Sequence, residues 1–352
     1  KGDPDVTKIA VFVILVLFVL LPSGLAVFIY EQHFGQRYET YVPLSRSLDE
    51  FQGLQRERRT FVSKQGQKLA GYKYYKEGLN PKGTVIIAHG LGGGGHNSYL
   101  DIADYLAGSG YWVFGYDATG NDESEGKSVR GLPQGLIDLD YAIRYVKDSP
   151  DFAGLPIFLF GHSWGGYSVG SVLKFHPDVK AAVIAAGFNK PVDMIAEVGG
   201  KIAGKAVHLL LPYISLYERL KFGTYANQTS IAGFEHSAAG VMILHSMDDN
   251  TVPPAVGWDL FQARYGNDPR FQFVRFDDRG HNWIWHADSA RAYRAEFNEQ
   301  FAAYLESLNQ EFTPEIRADY LGKHLDKGLL YALDDEIMGR VVGFYDQYAL
   351  KQ

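Results

Sequence analysis

The chain has no cysteine among its 352 residues. That excludes a disulfide framework, a thiolate zinc site and a cysteine nucleophile, and leaves the compartment open. It has no basic stripe either. Lysine plus arginine number 34 against 41 acidic residues, a formal net charge of −7, so a polyphosphate backbone finds no neutralising surface and nucleic acid is excluded as the main partner. There is no internal repeat and no low-complexity tract. The P-loop pattern G-x-x-x-x-G-K-[ST] does not occur, so a phosphate-binding reading of the chain is weak. One local absence is informative. The stretch Ile9–Tyr30 carries no charge, and a helix of that length rises roughly 30 Å, the thickness of a bilayer core.

What remains is a chain with 46% hydrophobic residues, enough for a large core with extensions. Residues 1–30 are expected to form an N-terminal transmembrane anchor, a single-pass link to a membrane. A signal peptide is the rival reading, with Ile9–Leu21 as its apolar region and Gly24-Leu25-Ala26 as a cleavage site. The apolar sequence continuing past that site favours the anchor. Lys1 and Lys8 before it and Arg37 and Arg46 after it leave the membrane side undefined. Residues 31–58 read as a linker.

From Arg59 onward strands and helices alternate. Arg59–Val62 and Leu69–Tyr75 pair around Lys64-Gln65-Gly66-Gln67. Strands follow at Thr84–Ala88, Tyr111–Tyr116, Pro156–Phe160, Val179–Ala186, Val241–His245 and Phe271–Phe276. Helices are expected at Tyr99–Ala107, Leu132–Lys147, Tyr167–Phe175, Ala255–Ala263 and Asp288–Leu308. This alternation predicts an α/β fold, a mainly parallel central sheet covered by helices on both faces. The core is assigned to residues 59–188 and 240–309. Residues 189–239 form a connection too long for one crossover helix, and are expected to be a small helical cap over the site. Residues 310–352 form a C-terminal helical extension, expected to pack on the domain surface. No oligomeric state follows from the sequence.

Ser163 lies in Gly161-His162-Ser163-Trp164-Gly165, after the apolar run Leu155–Phe160 and before a predicted helix. A serine hydroxyl is a poor nucleophile unless the backbone aims it and a base deprotonates it. A strand-to-helix turn flanked by glycines does the aiming. The base candidate is His281, in the loop after the last strand. Asp248 and Asp249, after the strand Val241–His245, are the candidates to orient it. Two backbone N–H groups would form an oxyanion hole: Trp164, directly after the serine, and Leu91, from the glycine-rich loop His89–Gly95. No metal or organic cofactor is called for. The acidic run Asp122-Glu123-Ser124-Glu125 lacks metal-ligand spacing and reads as a solvated loop.

With the order serine, aspartate, histidine, the chain resembles the α/β-hydrolase superfamily from about Arg59 to Leu308. The segment Asp117–Gly126 is similar to that family's D-x-x-G-x-G-x-S-x-G loop, with Asp122 where glycine is usual. Together with His89-Gly90-Leu91-Gly92 it resembles the branch of monoacylglycerol lipases, lysophospholipases and serine aminopeptidases. The resemblance favours Asp249 over Asp248, because the acid usually stands three residues before a Val-Pro pair, here Val252-Pro253. It implies a serine hydrolase acting through an acyl-enzyme. With the apolar cap, Trp283, Trp285 and the anchor, the expected substrate is a small-molecule carboxylic ester with a lipid-like or medium-length acyl chain. Aminopeptidase or amidase activity is the alternative, with Glu197, Glu218 and Glu235 available to hold a free amine, and acyl-protein thioesterase a further one. A membrane-tethered binding protein on a hydrolase scaffold is the non-enzymatic alternative. Such scaffolds lose a triad member, and here all three types are present.

Overall fold

The computed structural model describes residues 4–308 and 312–349. Residues 1–3 of the N-terminal segment, residue 309 of the core, and residues 310, 311 and 350–352 of the extension lie outside the described residues. The chain runs as α1 (Pro4–Leu15), α2 (Leu21–Phe34), β1 (Leu54–Val62), β2 (Lys68–Lys76), β3 (Thr84–Ala88), α3 (Leu100–Gly108), β4 (Trp112–Tyr116), α4 (Leu132–Asp148), β5 (Ile157–His162), α5 (Trp164–Val172), β6 (Ala181–Ala185), α6 (Pro191–Ala203), α7 (Leu211–Phe222), α8 (Ser230–His236), β7 (Gly240–Ser246), α9 (Trp258–Tyr265), β8 (Phe271–Phe276), α10 (Asp288–Ser307), α11 (Pro314–His324), α12 (Lys327–Leu330) and α13 (Asp335–Ala349).

Eight strands form one sheet in the order β1-β2-β4-β3-β5-β6-β7-β8. The hairpin β1–β2 and the β2–β4 pair are antiparallel, and every other neighbouring pair is parallel. The inner strands β3, β5, β6 and β7 are buried throughout, as their unbroken apolar sequence requires when helices cover both faces. Alternate side chains go to opposite layers. Ile86, Leu159 and Ile184 face a core shared with Leu136, Ile143 and Val169 of α4 and α5. Val85, Phe158, Phe160 and Val183 face a second core shared with Ile102 and Leu106 of α3 and with Val341 and Phe344 of α13.

Three elements depart from the sequence expectation. Strand β1 starts at Leu54 rather than Arg59. Its Gln55–Arg59 stretch is mostly polar because it is an edge strand, where outward charges discourage pairing with another chain. The C-terminal helix is core rather than surface. Ile337, Met338, Val341, Phe344 and Tyr345 of α13 are buried, and the Tyr345 hydroxyl donates to the Leu159 carbonyl of β5 at 2.8 Å. The long connection after β6 divides. Helices α6 and α7 and the 3-10 turn Gly204–Leu209 between them stand over the carboxyl end of the sheet, whereas α8 lies against α5 so closely that a methyl at Gly233 would overlap the Gly170 carbonyl oxygen.

The N-terminal segment forms one helix long and apolar enough to cross a membrane by length and composition, Val11–Phe34, with a mean hydropathy of 2.9. A π-turn at Val16–Leu20 interrupts it. Pro22 has no N–H to give the carbonyl four residues back, and that carbonyl, of Phe18, accepts instead from the Tyr213 hydroxyl of α7. Residues after the helix are held against the core. Tyr38 N–H donates to Gly120 O at 3.0 Å and Val129 N–H to Gln36 O at 3.0 Å. Replacing Phe344 by alanine is expected to cost about 3–5 kcal/mol, as for other buried aromatics. Urea unfolding of the Phe344→Ala variant measures it, and a loss below about 1 kcal/mol would place α13 outside the core.

Candidate active site

Ser163 occupies the turn between β5 and α5 with φ 57° and ψ −115°, a left-handed conformation that costs a non-glycine residue of order 1–3 kcal/mol. The flanking glycines explain how it is tolerated. A methyl at Gly161 would overlap the Gly165 carbonyl oxygen, and one at Gly165 would overlap that of Ala88. Strand, turn and helix therefore touch backbone to backbone, and Ser163 N–H is fixed to Ala185 O of β6 at 2.9 Å.

His281 follows β8. Its Nδ1 lies 2.7 Å from Asp249 Oδ2, and Asp249 Oδ1 accepts from Thr251 N–H at 2.8 Å and Val252 N–H at 2.9 Å. Burial pushes the Asp249 carboxyl up. The His281 bond and these two N–H donors outweigh it and hold the group below the ordinary aspartate range. Asp248 points elsewhere: its Oδ1 accepts from Ser246 Oγ at 2.5 Å and Gly280 N–H at 2.8 Å, which shapes the turn before His281. Of the two aspartates, Asp249 is the one that meets the histidine.

Ser163, Trp164, Leu91 and His281 line one cavity of about 990 Å3 at the carboxyl end of the sheet, where open α/β sheets bind their ligands. Asp249 stands behind His281. No hydrogen bond joins Ser163 to His281 among the described residues, a looseness usual before substrate fills a site. Trp285 lines the cavity and meets His162 edge-on at 4.9 Å. Trp283 is not on the cavity wall and packs on His286.

A directed hydrogen-bond chain holds the two halves of the site together. Ala118 N–H donates to His89 Nε2 at 2.9 Å, so His89 carries its proton on Nδ1 and donates to Gly90 O at 2.7 Å. Gly90 N–H donates to the Tyr99 oxygen at 2.9 Å. Tyr99 O–H reaches His162 Nδ1 at 3.0 Å, and His162 Nε2 lies 3.0 Å from the His281 carbonyl. A carbonyl accepts only, so His162 donates from Nε2 and accepts at Nδ1. Burial, with His281 adding to it, lowers its pKa to about 3 and keeps this tautomer neutral. Tyr99 was not legible beforehand, since a tyrosine at a helix start has no signature.

The acidic loop is solvated in part: Glu123 and Glu125 are exposed, whereas Asp122 is tied down. Asp122, at φ 36°, accepts from Thr40 N–H and Thr40 Oγ at 2.6 Å each and from Gly95 N–H at 2.7 Å. Glu123 pairs with Arg58, and Ser124 Oγ donates to Asp117 O. The aspartate that replaces the usual glycine thus ties the segment after α2 to the glycine-rich loop. A second histidine–aspartate pair, His96–Asp117 at 2.7 Å, is buried against Tyr72 at 3.6 Å between ring centroids and does not line the cavity. Ser63 donates to Asp138 at 2.6 Å, not to this pair.

Much of the cavity's remaining wall is apolar, and it comes mainly from two sources. One is the connection after β6, through residues such as Met194, Val198, Val207 and Ile214. The other is α2, through Leu25, Ile29, Tyr30, His33 and Phe34. Their role was not legible, because it depends on α2 docking on α7. There the Tyr30 hydroxyl donates to Glu218 Oε1 at 2.8 Å, and Glu31 accepts from Tyr217 at 2.7 Å and pairs with Lys221.

The profile of the family described as serine aminopeptidase, S33, matches residues 79–236. Human monoglyceride lipase is 29% identical over 157 residues, 44% of this chain and 51% of that protein. The lysophosphatidylserine lipase of Danio rerio is 25% identical over 214 residues, 58% of this chain and 54% of that protein. The chain spans about half the length of these relatives. An esterase of Pyrococcus furiosus superposes with a TM-score of 0.51 at 16% identity, covering 73% of this chain and 91% of that one, a likeness of fold.

Burial raises the Glu218 carboxyl to about 7, against the smaller opposing effects of Tyr30 and Lys221. The folded chain thus keeps this proton to a higher pH than the unfolded chain. The stabilisation is complete below the unfolded carboxyl's pKa and is lost as pH rises towards 7. The thermal midpoint of the full chain in micelles is expected to fall between pH 5 and pH 8, and Glu218→Gln, which keeps an acceptor for Tyr30, to fall less. Equal slopes in calorimetry would contradict a protonated Glu218.

Proposed function

We propose that the chain, an α/β-hydrolase-superfamily, serine-hydrolase-like protein related to the monoglyceride lipase and esterase branch, is a membrane-anchored carboxylic ester hydrolase for lipid-like acyl substrates. The observation that carries this reading is the cavity, whose wall joins Ser163 and His281 to a long apolar surface.

In the proposed reaction His281 Nε2 takes the proton of Ser163 Oγ as that oxygen attacks the ester carbonyl. The oxyanion accepts from the Leu91 and Trp164 N–H groups, each worth ~3 kcal/mol of barrier lowering. Asp249 accepts from His281 Nδ1 and stabilises the imidazolium. His281 then protonates the departing alcohol, leaving an acyl-serine. Water, deprotonated by His281, attacks that ester, and the acid leaves as Ser163 regains its proton.

The aminopeptidase reading needs a carboxylate free to hold an amine, and the acids available do not offer one. Among the described residues the carboxylate on the cavity wall is Asp101, which is paired with Arg46 at 2.5 Å. Glu218 is turned to Tyr30, Glu235 pairs with Arg264, and Glu197 is not among the lining residues. Exposed apolar side chains along the stretch Val11–Leu21 support the anchor. Phe12, Phe18 and Leu21 each stand more than half exposed, an apolar surface larger than water-facing proteins keep and one that hydrocarbon would cover.

The full chain in micelles is expected to hydrolyse p-nitrophenyl acyl esters. Ser163→Ala lowers kcat at least about 1000-fold, Asp249→Asn does the same, and Asp248→Asn costs about tenfold or less. Aminoacyl-naphthylamide turnover above ester turnover, or equal rates for Ser163→Ala, would overturn the reading.

A further inference from the structure

The cavity opens where α2 meets the cap, and its rim is unusual. Leu25 and Ile29 of α2 are 50% and 43% exposed, and Ile202 of α6 and Leu209 of the turn after it are 78% and 74% exposed; all four also line the cavity. A side chain that is both outward-facing and cavity-lining marks a mouth. This one is apolar on both sides, a poor entrance from water and a good one from hydrocarbon.

The rim continues the surface of the long apolar helix. Upstream of Leu25, Leu20 and Leu21 are exposed, and Phe28, on the far side from the cavity lining, is exposed as well. Beyond Leu209, Leu216 and Leu220 extend the exposed apolar surface along α7. Along α2 the cavity-lining residues include the i, i+4 row Leu25, Ile29 and His33, with Tyr30 and Phe34 beside it, so one helix face lies along the cavity. The helix is fixed in this place by Tyr213, Tyr217, Glu218 and Lys221 of α7, which hold Phe18, Glu31 and Tyr30.

We propose that the last turns of α2 are a wall of the acyl site and that, with Ile202 and Leu209, they form a gate through which the substrate's acyl chain passes sideways from the bilayer into the cavity. The anchor helix is then part of the active site rather than a tether. This proposal rests on the ester-hydrolase reading of Ser163.

The chain has no cysteine, so Ile29→Cys creates a single thiol. The variant, full length in phosphatidylcholine vesicles, is treated with a dodecyl methanethiosulfonate and then with dithiothreitol, which makes each sample its own folding control. Hydrolysis of a long-chain monoacylglycerol in the vesicles is measured before, between and after. Capping at Ile29→Cys is expected to lower the rate about tenfold or more, and the reductant to restore it, because a filled pocket rejects an added chain. Capping at Phe28→Cys, one residue round the helix and off the cavity wall, is expected to change it by less than about twofold. A capped Ile29→Cys that matches its uncapped rate, or an equal loss at Phe28→Cys, overturns the gate while leaving the hydrolase reading intact. If the unsubstituted chain cleaves neither this lipid nor p-nitrophenyl butyrate, the gate and the hydrolase reading fall together.

Discussion

The left-handed turn at Ser163 is the constraint on which the rest of the site depends. It persists only because the surrounding core over-determines it. β3, β5 and β6 are locked in register, with Ala88 beside Gly161 and Gly161 beside Ile184, and Gly161 and Gly165 let strand and helix backbones touch. The same register brings the ends of β3, β7 and β8 to one edge of the sheet. The loops after them carry Leu91 and His281, which line the cavity with Ser163, and Asp249, which meets His281 from behind. A strain of order 1–3 kcal/mol is small beside the burial of the two apolar cores on either side of the sheet.

That turn is braced from both sides by polar contacts that themselves do no chemistry. The chain from Gly90 through Tyr99 and His162 to the His281 carbonyl joins the loop after β3 to the loop after β8. Its direction is fixed at both histidines by groups that can only donate or only accept. Asp122 does the corresponding work at the outer edge, joining Thr40 to Gly95. In each case a polar group that is wholly or partly buried is satisfied at both ends, which is what makes such a network rigid rather than costly.

Much of this was legible in the sequence where the signal is local. The inner strands read as continuous apolar runs because both their faces are covered, and the span Phe271–Phe276 matches the structure end to end. The serine turn was legible because its glycines and its position between strand and helix have one mechanical meaning. The Asp248–Asp249 ambiguity was not soluble from composition, since adjacent aspartates differ only in which way the turn directs them. What stayed hidden depends on distant pairing. Asp122 looked like a solvated acid because its partners, Thr40 and Gly95, are remote in sequence. The helical spacing of Ile337, Val341 and Phe344 fits a surface helix and a core helix equally. The linker region 31–58 carries no periodicity, yet its first residues complete the long apolar helix and its last begin the edge strand.

In the proposed reaction Ser163 is a hydroxyl activated by His281. Covalent labelling tests it most directly. The full chain is incubated with a fluorophosphonate, and the site of attachment is read by peptide mass spectrometry. The account predicts one phosphonyl group, on Ser163, with labelling strongly slowed in His281→Ala. An unlabelled Ser163, or a label on another serine such as Ser63 at the same rate in both chains, would contradict it.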